Sequence, residues 1–357
     1  MSKRLRGPLL VSVVLTGALT TRYGPARMAP DHTSMPATRT ISLEAIRAAA
    51  DAVYPVVTRT PLVRLTVPAE SGLSADSELY LKLETFQPIG SFKIRGAYNA
   101  LRQLSADDLA QGVWTVSAGN AAQGVALAAC TLGADCAVLV MDTAPATKLA
   151  AIERLGARIV KASYDECWQA VETHGSDRME GVFVHPFDDD RFIAGNATIG
   201  LEILEDLPDV DAVVAPIGGG GLIAGVGSAL KALRPQTRIY AAEPVTAAPL
   251  AASLQAGAAS RFPGWVASFV DGAGGKAVLP SMWPLLSALV TDSIVVSLDD
   301  VARAMRLVAE SAHVIAEGAA ACAVAAALSG RVGAGKTVAV VSGGNIDLAR
   351  FAALTAG

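Results

Sequence analysis

A cation in the first turn of a helix is mildly unfavourable, because the helix dipole already places positive charge there. Lys93 is predicted at such a position, so its amine is expected to be neutral or covalently used. The stretch around it, Leu79–Ala97, reads LYLKLETFQPIGSFKIRGA. Leu79, Leu81 and Leu83 alternate with Tyr80, Lys82 and Glu84, the period-2 pattern of a strand with one buried face. Pro88 and Gly90 then break the chain and Ser91 is a candidate cap. A helical pattern follows through Ala97 to Leu101. A solvated lysine would satisfy the same pattern, and two further segments tilt the balance towards chemistry.

The first is Ser117–Gly124, SAGNAAQG, which follows the apolar run Val113–Val116 and opens an Ala-rich helix. Small residues at a strand-to-helix turn let backbone amides approach a ligand carboxylate. An ordinary βα loop would look the same in isolation. The second is Gly218–Gly221, four consecutive glycines between a predicted strand, Asp211–Ile217, and a helix starting at Leu222. Bare amides at a helix N-terminus form a nest suited to phosphate, and a merely flexible loop seldom occupies that position.

Taken in order, SFKIRGA, SAGN-x-x-QG, GGGGL and Ser342–Asn345 SGGN resemble the serine/threonine dehydratase and serine racemase group of pyridoxal-phosphate enzymes, which includes the threonine ammonia-lyases. The resemblance runs from about Leu43 to the end of the chain. It implies an α/β protein of fold type II, similar to the tryptophan-synthase β subunit, with two open, twisted, mostly parallel sheets and flanking helices. It implies pyridoxal 5'-phosphate as cofactor, held as an internal aldimine on Lys93, with Phe92 flanking the pyridine ring. Asn120 would hydrogen-bond the cofactor's 3-hydroxyl. Gly218, Gly219, Gly220 and Gly221, with Leu222 behind them, would bind its phosphate. Ser342, next to Gly343, would meet the ring nitrogen. The loop of Ser117, Ala118, Gly119, Asn120, Ala121 and Gln123 would take the substrate carboxylate.

The reaction implied is dehydration of a β-hydroxy amino acid such as L-threonine or L-serine to a 2-oxo acid and ammonia, by way of an aminoacrylate. The cofactor serves as electron sink and the freed Lys93 amine as general base for the Cα proton. A neutral Ser342 leaves the ring nitrogen largely unprotonated, which favours expulsion of the β-hydroxyl over transamination.

Departures from the family pattern narrow the reading. Racemases of the group carry a serine as acid/base where this chain has Ala118, and an alanine moves no proton; racemisation is the alternative, and dehydration is favoured. Ala121 stands where histidine is usual, which implies a roomier pocket. The usual GQGT segment reads GNAT at Gly195–Thr198, so its local contacts are open. The racemase branch binds a divalent cation through a Glu and an Asp six residues on. Glu243 is the candidate ligand here, but the sixth residue on is Pro249, and loss of a carboxylate weakens a hard-cation site. A bound cation is therefore doubtful.

Two other motifs compete. Gly330–Thr337, GRVGAGKT, fits the P-loop expression, yet it follows a helical stretch, Ala319–Leu328, and precedes a strand, the reverse of a P-loop. Gly219, Gly221 and Ala224 fit G-x-G-x-x-A, with a following strand, Arg238–Ala242, ending at Glu243. That is the layout of a nicotinamide-binding βαβ unit, so an NAD-dependent oxidoreductase is a remote alternative. It leaves Lys93 and the SAGN loop without a role.

The 357 residues permit about two domains. Ile41–Asn99 enters a larger pyridoxal-phosphate domain (41–108 and 188–357), interrupted by a smaller one (109–187). Predicted strands at Val113–Val116, Cys136–Met141, Arg158–Lys161 and Val182–Val184 build the smaller one. Charged residues are 17% and hydrophobic ones 52%, which suits parallel strands buried on both faces. With net charge -4 and no basic stripe, nucleic acid is an unfavoured partner, and no membrane association is expected. A small amino acid is the expected partner, and the resemblance suggests a homo-oligomer, a dimer or tetramer. Cys130, Cys136, Cys167 and Cys322 form no C-x-x-C pair, consistent with reduced thiols and a cytoplasmic setting. His174, His185 and His313 read as structural. Residues 1–34 hold an apolar run, Leu9–Leu19, after Lys3, Arg4 and Arg6; they read as a disordered or mis-assigned extension, with Met28 or Met35 the expected initiator. The chain stops shortly after SGGN, so no isoleucine-responsive regulatory domain is expected. Trp168 with the small Ala118 and Ala121 could admit a bulkier substrate such as phenylserine, although Trp168 is more simply core.

Overall fold

The alternation of strands and helices resolves into two sheets. A computed structural model describes residues 39–67, 73–74 and 76–356, so the expectations for residues 1–34 lie outside the described residues. The larger sheet is built from β1 (Leu62–Arg64), β2 (Ser77–Leu83), β7 (Ala212–Pro216), β8 (Arg238–Pro244), β9 (Asp292–Val296) and β10 (Gly335–Val341). Their spatial order is β1-β2-β10-β7-β8-β9. Only the β1–β2 pairing is antiparallel. The smaller sheet takes β3 (Val113–Val116), β4 (Cys136–Met141), β5 (Arg158–Ala162) and β6 (Val182–Phe183) in the order β5-β4-β3-β6, all parallel.

Helices fill the crossovers. Before and within the first part lie α1 (Leu43–Val53), α2 (Lys93–Leu101), α3 (Ala106–Ala110), α4 (Asn120–Leu132), α5 (Ala146–Glu153) and α6 (Tyr164–Thr173). The return to the larger sheet uses α7 (Asp190–Asp206), α8 (Gly221–Leu233), α9 (Pro249–Ala256) and α10 (Trp283–Leu289). The chain closes with α11 (Leu298–Ala312), α12 (Gly318–Leu328) and α13 (Leu348–Thr355). Parallel strands with helices on both faces have no wet face, and β7 is buried at every position. One apolar cluster packs the α7–α8 side through Ile199, Val226 and Leu286, and another the α11–α12 side through Met305 and Val324. No helix among the described residues is long and apolar enough to cross a membrane.

The expectation of one buried face on β2 needs correcting. Lys82 and Glu84, expected on the polar side, are fully buried. The reason is that α2 and α7 cover that side and supply counter-charges. Lys82 Nζ lies 2.8 Å from Glu202 Oε2 of α7 and donates to the Thr60 carbonyl at 2.6 Å. Arg95 of α2, also fully buried, grips Glu84 with Nε and Nη2 at 2.8 and 2.9 Å. Its Nη1 and Nη2 reach Glu202 at 2.6 and 2.9 Å. Two cations and two carboxylates thus share one dry site, the only arrangement in which burial of such groups is tolerable.

The GNAT segment settles in the same place. A side chain on Gly195 would stand 2.3 Å from the Arg95 carbonyl oxygen, so only glycine lets α7 cross α2 this closely. Thr198 Oγ1 accepts from Arg95 Nη1 at 3.0 Å. The departure from GQGT therefore keeps the helix crossing and its hydrogen bonds.

Candidate active site

The turn between β2 and α2 carries Lys93, and it is clamped to the loop after β10. The Phe92 amide donates to the Ser342 carbonyl at 3.0 Å, and the Gly344 amide to the Gly90 carbonyl at 2.9 Å. Ser91 and Gly343 form an isolated antiparallel bridge. The cap expectation is corrected here: Phe92, not Ser91, holds the N-cap of α2, with helical dihedrals and no side-chain cap. The Ser91 hydroxyl is instead buried without a partner inside the protein.

Lys93 is partly buried between two aromatic rings, with Nζ 5.2 Å from the Phe92 centroid and 5.4 Å from that of Phe192. Nζ donates to the Pro186 carbonyl at 2.7 Å. Desolvation pushes the amine down to about 8, since no carboxylate stands beside it to hold the proton. A substantial fraction is thus neutral near physiological pH, the form a nucleophile or base needs.

The glycine nest packs on the residue after Pro186, Phe187. Gly220 has φ +97°, a left-handed conformation glycine alone adopts without strain, and Gly221 starts α8. A Cβ on Gly219 would lie 2.2 Å from the Phe187 ring, and one on Gly221 2.7 Å from the Phe187 carbonyl oxygen. The nest is therefore moulded on Phe187, with no side chain to fill the hollow above it. Asn196 of the GNAT segment braces it by donating Nδ2 to the Gly221 carbonyl at 3.1 Å. Leu222 is buried behind the nest.

Asn120, the first residue of α4, completes the ring of contacts. Its Nδ2 donates to Glu317 Oε1 at 2.7 Å, and its Oδ1 accepts from Asn345 Nδ2 at 2.8 Å. Glu317, buried at the start of α12, also donates its backbone N–H to the Gly343 carbonyl at 3.0 Å. Burial drives its carboxyl up to about 7, with Asp271 adding to the effect and the Asn120 hydrogen bond opposing it. In the SAGN loop the Ser117 hydroxyl accepts from the Gly119 amide at 3.1 Å, Ala118 is half-buried, and Ala121 is buried. The Gln123 amide bonds back to the Gly119 carbonyl at 3.3 Å, inside the first turn.

Lys93, Phe92, Asn120, Ser342, Gly343 and the nest thus belong to one connected cluster at the carboxyl ends of β2, β3, β7 and β10, where open α/β sheets bind ligands. Pro186, Phe187 and Glu317 belong to it too and were not singled out by the sequence reading; Asn196 and Asn345 entered there only as members of the GNAT and SGGN motifs. Glu317 has one visible signal: it is a lone acid at the mouth of the uncharged helix GAAACAVAAAL.

The geometry fits a phosphorylated aldehyde: an amine poised near neutrality, a side-chain-free cradle of amides, and buried hydroxyl and amide groups between them. It does not fit a dinucleotide. Glu243, which would have to meet a ribose, is fully buried. Its Oε1 accepts from the Leu250 amide at 2.8 Å, and its Oε2 from the Ala251 amide at 2.8 Å and Ser293 Oγ at 2.6 Å. Three of the carboxylate's acceptor sites are thus committed within the protein, and Glu243 serves as an acceptor for the first amides of α9. The P-loop-like segment runs from the turn after α12 into β10 and opens no helix, and Lys336, already in β10, pairs with Asp209 at 2.6 Å. His174, His185 and Asp188 have potential ligand atoms within 4.8 Å of one another. His185 Nδ1, however, accepts from the Asp188 amide at 2.7 Å, which leaves the proton on Nε2 and no lone pair there for a metal.

The comparisons agree with this chemistry. Residues 53–343 match the family model described as pyridoxal-phosphate dependent enzyme, and the chain belongs to that family. It is 41% identical over 311 residues to the L-threonine ammonia-lyase of Thermotoga maritima, covering 86% of this chain and 76% of that one. It is 40% identical over 285 residues to the catabolic L-threonine dehydratase of Escherichia coli, covering 78% and 86%. Among solved structures, maize serine racemase is similar with a TM-score of 0.79 and 34% identity, over 88% of this chain and 95% of that one. A threonine deaminase isoform from Solanum lycopersicum gives 0.77 and 32%, over 89% and 95%. The protein is accordingly a fold type II pyridoxal-phosphate enzyme.

Proposed function

We propose that the protein is an ammonia-lyase that dehydrates L-threonine or L-serine to the 2-oxo acid and ammonia. The observation that carries this reading is the Lys93 amine, lowered to about 8 by burial, standing between the Phe92 and Phe192 rings and donating to the Pro186 carbonyl. Pyridoxal phosphate, when bound at Lys93, supplies an electron sink for charge developed at the substrate Cα. The chain's residues do the rest. Gly218–Gly221 offer amide donors to the phosphate at the N-terminus of α8. Asn120 offers an amide N–H to the 3-oxygen, and the neutral Ser342 hydroxyl faces the ring nitrogen without adding a positive charge. The amides of Ser117–Gln123 receive the substrate carboxylate, and the Lys93 amine holds the proton taken from Cα.

Ala118 favours elimination over racemisation, since a methyl group transfers no proton to the opposite face. Trp168 is only partly buried but packs against the larger core cluster, which supports a structural role and gives no ground for preferring phenylserine. The division into a larger domain (41–108, 188–357) and a smaller one (109–187) follows the two sheets, with the site between them. A homo-oligomer and a cytoplasmic setting are part of the same proposal and rest on the family resemblance alone.

The test is product analysis on the purified, cofactor-loaded protein. L-Threonine and L-serine are expected to yield equimolar ammonia and 2-oxo acid, with phenylserine and hydroxyaspartate much slower. Loss of optical activity without ammonia would replace the lyase by a racemase.

A further inference from the structure

Asn120 has two hydrogen-bonding edges, and both are committed to residues far away in sequence. Its Oδ1 takes a proton from Asn345 Nδ2 at 2.8 Å, and Asn345 is fixed in turn by donating to the Ile89 carbonyl at 2.8 Å. Its Nδ2 gives one proton to Glu317 Oε1 at 2.7 Å. With Glu317 ionised, above its value of about 7, reversing the carboxamide would set its Oδ1 against a carboxylate and its NH2 against the Asn345 NH2, losing both bonds. What remains free on Asn120 is one N–H and the second lone pair of Oδ1, and of these the N–H is the partner for an ionised oxygen. A donated N–H bond stabilises an ionised oxygen more than a neutral hydroxyl, so a fixed donor lowers the pKa of the oxygen it meets.

We propose that Glu317 and Asn345 are positioning residues that lock the Asn120 carboxamide donor-outward, so that the site selects the ionised form of the cofactor's 3-oxygen. This rests on the pyridoxal-phosphate reading of the site. Glu317 is well placed for the task. It occupies the N-cap position of α12 yet makes no side-chain cap bond, leaving its carboxylate to Asn120. A Cβ on Gly343 would lie 2.8 Å from Glu317 Oε1, so the acid packs directly on the loop that carries Ser342. The charged groups facing Glu317 are Asp271, which raises its pKa, and Lys148, which lowers it; Lys148 and Asp271 are themselves paired. The acid thus stands beside a screened pair and not beside a free cation, and its donors are the Asn120 side chain and the Asn345 backbone amide.

The experiment compares wild type with Glu317→Gln, Glu317→Met and Asn345→Leu, reading cofactor affinity and the pH titration of the cofactor's visible absorption. Glu317→Gln keeps an acceptor towards Asn120 and is expected to stay within about threefold of wild-type affinity, with the wild-type titration midpoint. Glu317→Met and Asn345→Leu each lose one edge of the lock. Both are expected to weaken pyridoxal-phosphate binding about tenfold and to move the titration midpoint to higher pH. A merely structural role for Glu317 would lower the melting temperature of the apoprotein while leaving the midpoint unmoved, and that result overturns the inference. Wild-type protein that takes up no pyridoxal phosphate would instead overturn the cofactor reading beneath it.

Discussion

The Lys93 amine is held in a state the unfolded chain would not choose, and that cost is measurable. Burial lowers its pKa from 10.5 to about 8. Between those values the unfolded chain binds a proton that the folded chain does not, so stability rises with pH through this window. Below pH 8 the full penalty applies, and above 10.5 it is gone. At 1.36 kcal/mol per pK unit the shift corresponds to at most about 3 kcal/mol. The hydrogen bond to Pro186 and the two flanking rings favour the charged form and so act against that penalty. Replacing Lys93 with Met keeps the aliphatic stem and removes the titrating group. Cofactor-free Lys93→Met is therefore expected to be more stable than cofactor-free wild type at pH 7. The gap should narrow by most of its size on going to pH 10. Urea unfolding of both proteins at pH 7, 8, 9 and 10 gives the difference directly, because other titrating groups cancel between them. The variant should be inactive at every pH. A stability difference that stays constant across this range would mean that the amine is not desolvated, and the argument for a poised nucleophile would fail with it.

Three further outcomes follow from the packing. Arg95→Ala leaves Glu84 and Glu202 buried without their shared cation, and is expected to cost about 3–5 kcal/mol in urea unfolding; a loss under 1 kcal/mol would show that water enters the network freely. Gly219→Ala places a methyl group against the Phe187 ring, so stability should fall by about 1–3 kcal/mol and cofactor affinity with it. Calorimetry and fluorescence titration read the two effects separately. Glu243→Ala strips the acceptor from the Leu250 and Ala251 amides and is expected to destabilise by about 2–4 kcal/mol, while chelators leave wild-type activity unchanged. A stability that depends on added magnesium would contradict that account.

What the sequence made legible was local. Strand β4 falls on Cys136–Met141 as predicted, and the four motifs sit at strand-to-helix turns because glycine, serine and asparagine are the residues that build such turns. The long-range partners were not legible. Glu317 lies 197 residues from Asn120, and Glu202 lies 107 from Arg95. No periodicity links positions that far apart. Lys82 and Glu84 misled for a related reason: alternation marks a polar face, and only the fold reveals that a helix with opposite charges covers it. Ser91 looked like a cap by residue type, yet the backbone clamp to Ser342 places Phe92 there instead.

Tyr54 Oη apart, the groups this fold leaves unsatisfied gather round the same place. Among the described residues, buried polar side-chain atoms without a protein partner include Ser91 Oγ, Thr85 Oγ1, Asn196 Oδ1 and His185 Nε2. Ser91 precedes Phe92 and Lys93, Asn196 braces the nest, and His185 adjoins the Pro186 that receives the lysine's hydrogen bond. Each orphan forfeits roughly 1–3 kcal/mol, and the poised lysine and the buried Glu317 add to that debt. Such strain persists only where neighbouring structure over-determines it. Here the Glu84–Arg95–Glu202–Lys82 network and the glycine crossing of α2 on α7 supply the constraint, from directly behind the lysine. The rigid charges and the reactive amine are thus two sides of one helix: Arg95 fixes α2 so that Lys93, two residues earlier, can be held out of its comfort.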